Sequence, residues 1–421
     1  MRVAMFTNTY LPLLGGVERS VASTATTLRN LGHACLVITP RVPAMRRGAH
    51  DGATDAETVR LAAFPSVAGT QFSYRLPGAG NLRRELRQFL PDVVHAHHPF
   101  MLGETGVRLA RGNGVPVVFT CHTRWERFVP SHLPLLRRLA RRLPVIFGGL
   151  CDLVIAPTPS IARLLRRRGV TTPIAVVPTG IDLELFRAGS RVHARARWGI
   201  RPGDTVVGHV GRLVPEKNVA YLAEAAIALL QTRPGRLLLV GEGPATAEVE
   251  GRFAAAGLGG RLVCTGRLDG QDLADAYSAM DVFAFTALTD TQGLVIAEAA
   301  AAGCPIVALD APGPRDFVDG SNGLLVPAAA PPEAFAAALA RALAPDAHAA
   351  LSSGARKSAD DYDLASCAER LVAAYTEAIA RLRDGGASPP PGTTLQRAWW
   401  RLIAEWDLLG HKAALARVML R

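Results

Sequence analysis

Short, continuous apolar runs alternate with helix-length segments along most of the chain. They are VAMFTNT (3–9), ACLVIT (34–39), VVHAH (93–97), PVVFTCH (116–122), LVIAP (153–157) and IAVVP (174–178). After Gly180 the pattern restarts with TVVGHVGR (205–212), RLLLVG (236–241), RLVCTG (261–266), VFAFTA (282–287), PIVAL (305–309) and GLLVP (323–327). Runs that are apolar at every position, and not at every second one, suit strands buried on both faces. The pattern therefore predicts an α/β protein in which each half is a doubly wound parallel sheet. Pro178–Arg201 reads as the connection between halves and DGGASPPPG (385–393) as a second linker. The helix predicted over 364–383 has no strand after it, and it is expected to pack back on the first lobe. The domains predicted are 1–185, 186–385, and a tail over 386–421.

A chain of 421 residues is long enough for two or three cores. No apolar stretch is long enough to span a bilayer: the longest candidate, 143–157, contains Asp152. The first ten residues lack the apolar core of a signal peptide and read as a first strand. The cysteines at 35, 121, 151, 264, 304 and 367 show no metal-like spacing, which suits buried thiols in the cytoplasm. Charge is uneven. Residues 1–190 hold 24 Lys/Arg against 11 Asp/Glu, residues 191–385 hold 18 against 23, and the tail 5 against 2. The basic first half and tail predict contact with a polyanionic surface.

Two lobes of this kind bind ligands at the carboxyl edges of their strands. Neither the dinucleotide glycine signature nor a GK[ST] phosphate loop is present, since Gly241-Glu-Gly243-Pro lacks the third glycine. Gly15 and Gly16 follow the first strand and open a helix, which serves either an anion at bare backbone N–H groups or an ordinary turn. Gly211-Arg212-Leu-Val-Pro215-Glu-Lys217 ends the second lobe's first strand, and its two cations are suited to a diphosphate leaving group. Asp290 and Glu298 bracket Gly293 at a strand-to-helix junction, as a ligand-facing acid pair or as an acidic loop and a solvated helix residue. His122 ends the run PVVFTCH, in reach of a substrate hydroxyl or in a structural hydrogen bond. In His95-Ala-His97-His98, strand alternation divides the histidines between faces, which favours packing and loop contacts over a metal.

Three segments read as surface elements for an anionic membrane. In 135–143, Leu135, Leu136, Leu139 and Leu143 lie opposite Arg137, Arg138, Arg141 and Arg142 on a helical wheel. In 161–168, Ile161, Leu164 and Leu165 oppose Arg163, Arg166, Arg167 and Arg168. The tail gathers Trp399, Trp400, Ile403 and Trp406 against Arg397, Arg401 and Lys412. Core-packed leucines with solvated arginines are the plainer alternative for the first two. No nucleic-acid-binding motif is present.

With these pieces in order, residues 1–385 resemble the retaining, nucleotide-sugar-dependent glycosyltransferases of the two-lobed GT-B fold, family 4-like, which include bacterial lipid mannosyl- and glucosyltransferases. The resemblance rests on Gly15-Gly16, TCHTRW, PTGID with Phe186, VGRLVPEKN, LLLVGEGP, TGRL, Asp290/Glu298, AAGCPIVA and SNGLLVP. It implies two Rossmann-like lobes facing across a cleft. Gly16, with Gly15 beside it, is implied to contact the donor phosphates, Arg212 and Lys217 to clamp the diphosphate, and Asp290 to approach the sugar hydroxyls. Glu298 is implied to bind the ribose, the amides around Gln292, Gly293 and Leu294 to hold sugar or phosphate, and His122 to lie beside the transferred sugar. Asp290 is one methylene shorter than the glutamate usual there.

The implied activity moves a hexose from GDP-mannose or UDP-glucose to a membrane lipid such as diacylglycerol or phosphatidylinositol. Alternatives are a soluble sugar or inositol phosphate acceptor, or a catalytically weakened sugar-nucleotide-binding protein. No metal and no other cofactor is expected. The expected location is the cytoplasm, peripheral on the inner face of the cell membrane.

Overall fold

A computed structural model of the chain describes residues 1–13, 15–41, 57–62 and 80–384. It forms two compact units, one from Met1 to Gly180 joined by the closing helix from Ala365, the other Ile181–Leu364.

The first unit is built on β1 (Arg2–Phe6), β2 (Ala34–Pro40), β3 (Thr58–Leu61), β4 (Val93–Ala96), β5 (Val117–Thr120), β6 (Leu153–Ala156) and β7 (Ile174–Val176). They pair in parallel in the order β3-β2-β1-β4-β5-β6-β7. Continuous apolar runs do form strands covered on both faces: Ala4 and Phe6 enter one core cluster, Val3 and Met5 the other. The strand order reverses between β1 and β4, so their carboxyl ends open the switch point where such sheets bind ligands. Asn8 ties the two exits together, donating to the Phe100 carbonyl at 3.2 Å and accepting from the Leu102 amide at 3.0 Å.

Strand β3 carried no sequence signal. Its run TVRL is short and mixed, and it pairs only with β2 at the sheet edge. The closing helix Leu364–Asp384 lays Ala368, Leu371, Ala374, Tyr375 and Ala378 on the face that holds Val3, Met5 and Val37.

The second unit comprises β8 (Thr205–Val210), β9 (Gly235–Val240), β10 (Leu262–Cys264), β11 (Val282–Phe285), β12 (Ile306–Leu309) and β13 (Gly323–Val326). They run in parallel in the order β10-β9-β8-β11-β12-β13. Its switch point falls between β8 and β11, whose exits carry Gly211–Lys217 and Thr286–Gly293. The unit begins at Ile181 because Ile181, Leu183 and Phe186 are buried in its core. Among the described residues, no helix is long and apolar enough to cross a membrane.

Candidate active site

In the second unit, the loop after β8 is held down by its own backbone. The Leu213 amide donates to the Glu242 carbonyl at 2.9 Å, and the Ala245 amide to the Leu213 carbonyl at 2.9 Å. A side chain at Gly241 or Gly243 would run into the carbonyl oxygens of Gly211 and Leu213. These glycines therefore serve backbone-to-backbone packing beneath the Arg212 loop, which explains why the full dinucleotide signature is unnecessary there.

Lys217 ends a 3₁₀ turn over Pro215–Lys217, and Asn218 follows in the left-handed region at φ 58°. That conformation, which asparagine tolerates better than most residues, turns the chain into helix Val219–Thr232. Thr286, at the exit of β11, donates its hydroxyl to the carbonyls of Lys217 at 3.1 Å and Asn218 at 3.2 Å. The Asn218 side-chain amide donates back to the Thr286 carbonyl at 3.4 Å. The two exits of the switch point are thus stitched together.

This stitching brings Lys217 and Asp290 into contact. The Lys217 ammonium donates to both carboxylate oxygens of Asp290, at 2.6 and 2.7 Å. Sequence reasoning gave the two separate duties, and the structure makes them one ion pair. Arg212 is half exposed and lies 3.5 Å from Glu216, four residues on.

Gly293 caps helix Leu294–Ala301 with φ +79° and ψ 68°, a left-handed conformation that explains the glycine. Gln292 and Thr291 are buried beside it. The first N–H groups of the helix lack intrahelical acceptors and make that end electropositive. One turn in, Glu298 is buried and accepts a hydrogen bond from the Tyr277 hydroxyl at 2.7 Å. Tyr277 carried no signal of this role, because its helix reads as plain core.

His209, near the end of β8, is buried and donates from Nδ1 to the Ala284 carbonyl at 3.0 Å. Burial first, and the Lys217 charge further, hold it near pKa 4 despite the opposing Ala284 bond and Asp290 charge.

In the first unit, Gly15 caps helix Gly16–Asn30 in extended conformation, and a side chain there would meet the Glu18 carboxylate. Gly16 faces open space. His122 lies two residues beyond β5, half buried, with Nε2 2.9 Å from His97 Nδ1. His98 Nδ1 accepts from the Asn8 amide at 3.2 Å. Burial, with neighbouring imidazoles second, holds His95 and His98 at about 3 and His97 well below its ordinary value. Burial alone holds His122 at about 4. The histidine run is therefore a cluster of neutral imidazoles. Among the described residues, no group of His, Cys, Asp and Glu is arranged to hold a metal ion.

The basic helix segments divide. Leu135 and Leu136, on helix Pro134–Gly148, are exposed at 39% and 43%, as are Arg138, Arg141 and Arg142, while Arg137 is half buried. Segment 161–168 is instead a core helix, with Ile161 and Leu165 buried. Its Arg168 is not a solvated cation: it donates to Glu126 at 2.5 and 3.3 Å in a largely buried pair. Trp399, Trp400 and Trp406 lie outside the described residues.

Two Rossmann-like units, the second with cations, an acid pair and a helix start at its switch point, define a nucleotide-sugar transferase of the GT-B class. Residues 14–185 match the model of Glycosyltransferase Family 4, and residues 204–345 that of Glycosyl transferases group 1. A GDP-mannose-dependent alpha-mannosyltransferase of Mycobacterium tuberculosis is 35% identical over 333 residues, 78% of this chain and 84% of the relative. An alpha-monoglucosyldiacylglycerol synthase of Streptococcus pneumoniae is 29% identical over 73% of this chain and 71% of that protein. The solved sucrose-phosphate synthase of Thermosynechococcus elongatus shares the fold, with TM-score 0.73 at 23% identity over 90% of this chain and 99% of that one. The chain belongs to glycosyltransferase family 4 and is a hexosyltransferase.

Proposed function

We propose that the protein transfers mannose from GDP-mannose, with retention of configuration, to a lipid at an anionic membrane surface. The observation that carries the donor half is the switch point of the second unit. There Lys217, Asp290 and Arg212 lie at the exits of β8 and β11, beside the electropositive start of helix Leu294–Ala301. A diphosphate is the ligand whose charge suits that combination. Glu298, oriented by Tyr277, is the acceptor for ribose hydroxyls. The choice of GDP-mannose follows the mycobacterial relative, and UDP-glucose is the competing donor.

In this reading the sugar C1–O bond to the diphosphate breaks as the C1–O bond to the acceptor hydroxyl forms on the same face. The acceptor proton passes to the departing diphosphate oxygen, so atoms and charge balance without a protein nucleophile. Arg212 and Lys217 stabilise the charge that develops on the leaving group. Asp290 orients a sugar hydroxyl, and His122 serves as a hydrogen-bonding contact for the transferred sugar. No step calls for a metal ion.

The lipid half is supported by the exposed leucines and arginines of helix Pro134–Gly148 and by the relative that is an alpha-monoglucosyldiacylglycerol synthase. A donor panel scored by nucleotide release, with membrane lipid extract as acceptor, tests the whole. Release of GDP from GDP-mannose that rises on adding lipid is expected. Release that responds only to water-soluble acceptors would overturn the lipid assignment, and release only from UDP-glucose the donor.

A further inference from the structure

His97 and His122 share one proton between their facing nitrogens. His97 Nδ1 lies 2.9 Å from His122 Nε2, and the rings stack with centroids 5.2 Å apart. At that distance one nitrogen donates and the other accepts. The remaining nitrogen of His97, Nε2, is fully buried and meets no hydrogen-bonding partner among the described residues. His95, whose ring centroid lies 4.0 Å from that of His97, does not help it. Its own nitrogens are engaged by the Tyr375 hydroxyl and Thr120 Oγ1, each at 2.7 Å.

The two ways of placing the shared proton are unequal. If His122 donated from Nε2, neutral His97 would carry its proton on Nε2, a buried N–H with nothing to receive it. If His97 donates from Nδ1, its Nε2 keeps a lone pair. Folded proteins tolerate a buried unmatched acceptor more readily than a buried unmatched N–H. A doubly protonated ring is disfavoured for both, since burial holds both neutral.

We infer that His97 is a positioning residue whose Nδ1–H fixes His122 in the tautomer protonated on Nδ1, so that a sugar oxygen reaching that nitrogen meets a hydrogen-bond donor. The inference rests on the reading of His122 as a contact for the transferred sugar. A neutral N–H recognises a sugar oxygen as an acceptor and leaves that hydroxyl's own proton for another group. It brings no charge of its own to the sugar.

The test uses the full chain labelled with ¹⁵N-histidine and long-range imidazole ¹H–¹⁵N spectra at neutral pH. His97→Asn and His122→Asn identify the two rings. A protonated Nδ1 and bare Nε2 on both rings are expected, and a protonated Nε2 on His122 would overturn the inference whether or not the protein transfers sugar. The kinetic arm compares His97→Leu, which removes the donor, with His97→Asn, which keeps an N–H near the Nδ1 position. A fall of about ten-fold in kcat/KM is expected for the leucine variant, the share of one hydrogen bond, with most of it restored by asparagine. Wild-type kcat/KM in His97→Leu would also overturn it. If no donor supports transfer at all, the functional reading fails while the spectrum still decides the tautomer.

Discussion

Lys217 and Asp290 form an enclosed ion pair, the ammonium on both carboxylate oxygens at 2.6 and 2.7 Å, with the side chains 19% and 17% exposed. The methylene that Asp290 lacks relative to the family's glutamate does not prevent this contact. Under the proposed reading the consequence is coupling: a phosphate that draws Lys217 away would free the acid for a sugar hydroxyl, so removing either partner would disturb both duties. Lys217→Ala is expected to lower transfer by about 100-fold or more, the scale of losing one group aimed at leaving-group charge. It also strands a largely enclosed carboxylate, at about 1–3 kcal/mol of stability. Asp290→Glu keeps the charge pair and is expected to retain far more activity than Asp290→Asn. Initial rates and thermal melts on these variants check both effects. Wild-type turnover in Lys217→Ala would remove the pair from the site.

Glu298 and Tyr277 make a different kind of contact, a buried hydrogen bond of 2.7 Å, and the ribose role proposed for Glu298 concerns binding more than bond breaking. A ribose hydroxyl is held alike before and during transfer, so losing its acceptor raises KM more than it lowers kcat. Glu298→Gln is expected to raise the donor KM by about ten-fold or more, as for a hydrogen bond to a charged group. Tyr277→Phe keeps the ring packed and removes only the hydroxyl, so a smaller rise in the same direction is expected. A fall in kcat with unchanged KM in both variants would contradict the ribose assignment.

The buried imidazoles make stability depend on pH in a definite direction. His95 and His98 are held at about 3 and His122 and His209 at about 4, chiefly by burial, whereas an ordinary imidazole titrates near 6.5. Between those limits the unfolded chain binds more protons than the folded one, so stability rises with pH and is lost as pH falls below about 6.5. Each histidine contributes up to about 1.4 kcal/mol per pH unit across its window. Thermal melts between pH 7.5 and 5 should show a steep decline on the acid side. A melting temperature that stays flat below pH 6.5 would show that these rings are not held neutral.

Periodicity gave the sheets because a strand buried on both faces writes its burial into consecutive residues, as in VVHA of β4 or VFAF of β11. It missed β3, whose TVRL sits at a sheet edge and needs no such run. Motifs supplied the candidate residues but not their partners. Lys217 and Asp290 are 73 residues apart, and His97 and His122 are 25 apart. Only the strand order brings such pairs together. Arg168 shows the reverse failure: helical spacing placed it on a basic face, while the fold pairs it with Glu126.

Helix Pro134–Gly148 offers the last test. Leu135 and Leu136 are 39% and 43% exposed, and Leu133 and Phe128, just ahead, are 38% and 50%. Arg138, Arg141 and Arg142 are exposed on the same helix. Basic side chains near an anionic bilayer gain about 1 kcal/mol each, and that term weakens with salt. Fully burying a leucine adds about 1.5–3 kcal/mol. The full chain is therefore expected to sediment with anionic vesicles at low salt and to leave them as salt rises. Replacing Arg138, Arg141 and Arg142 with Glu should abolish sedimentation, and Leu135→Asn with Leu136→Asn should weaken it by about ten-fold or more, since their insertion is then lost. Melting temperatures should change little, because these side chains are exposed, including Arg142 with its one bond to the Arg168 carbonyl at 3.2 Å. A chain ended after Asp384 separates this helix from the tail at 386–421: if the shortened protein no longer binds, the tail and not the helix holds the membrane. If the full chain ignores anionic vesicles, the lipid acceptor loses its structural support.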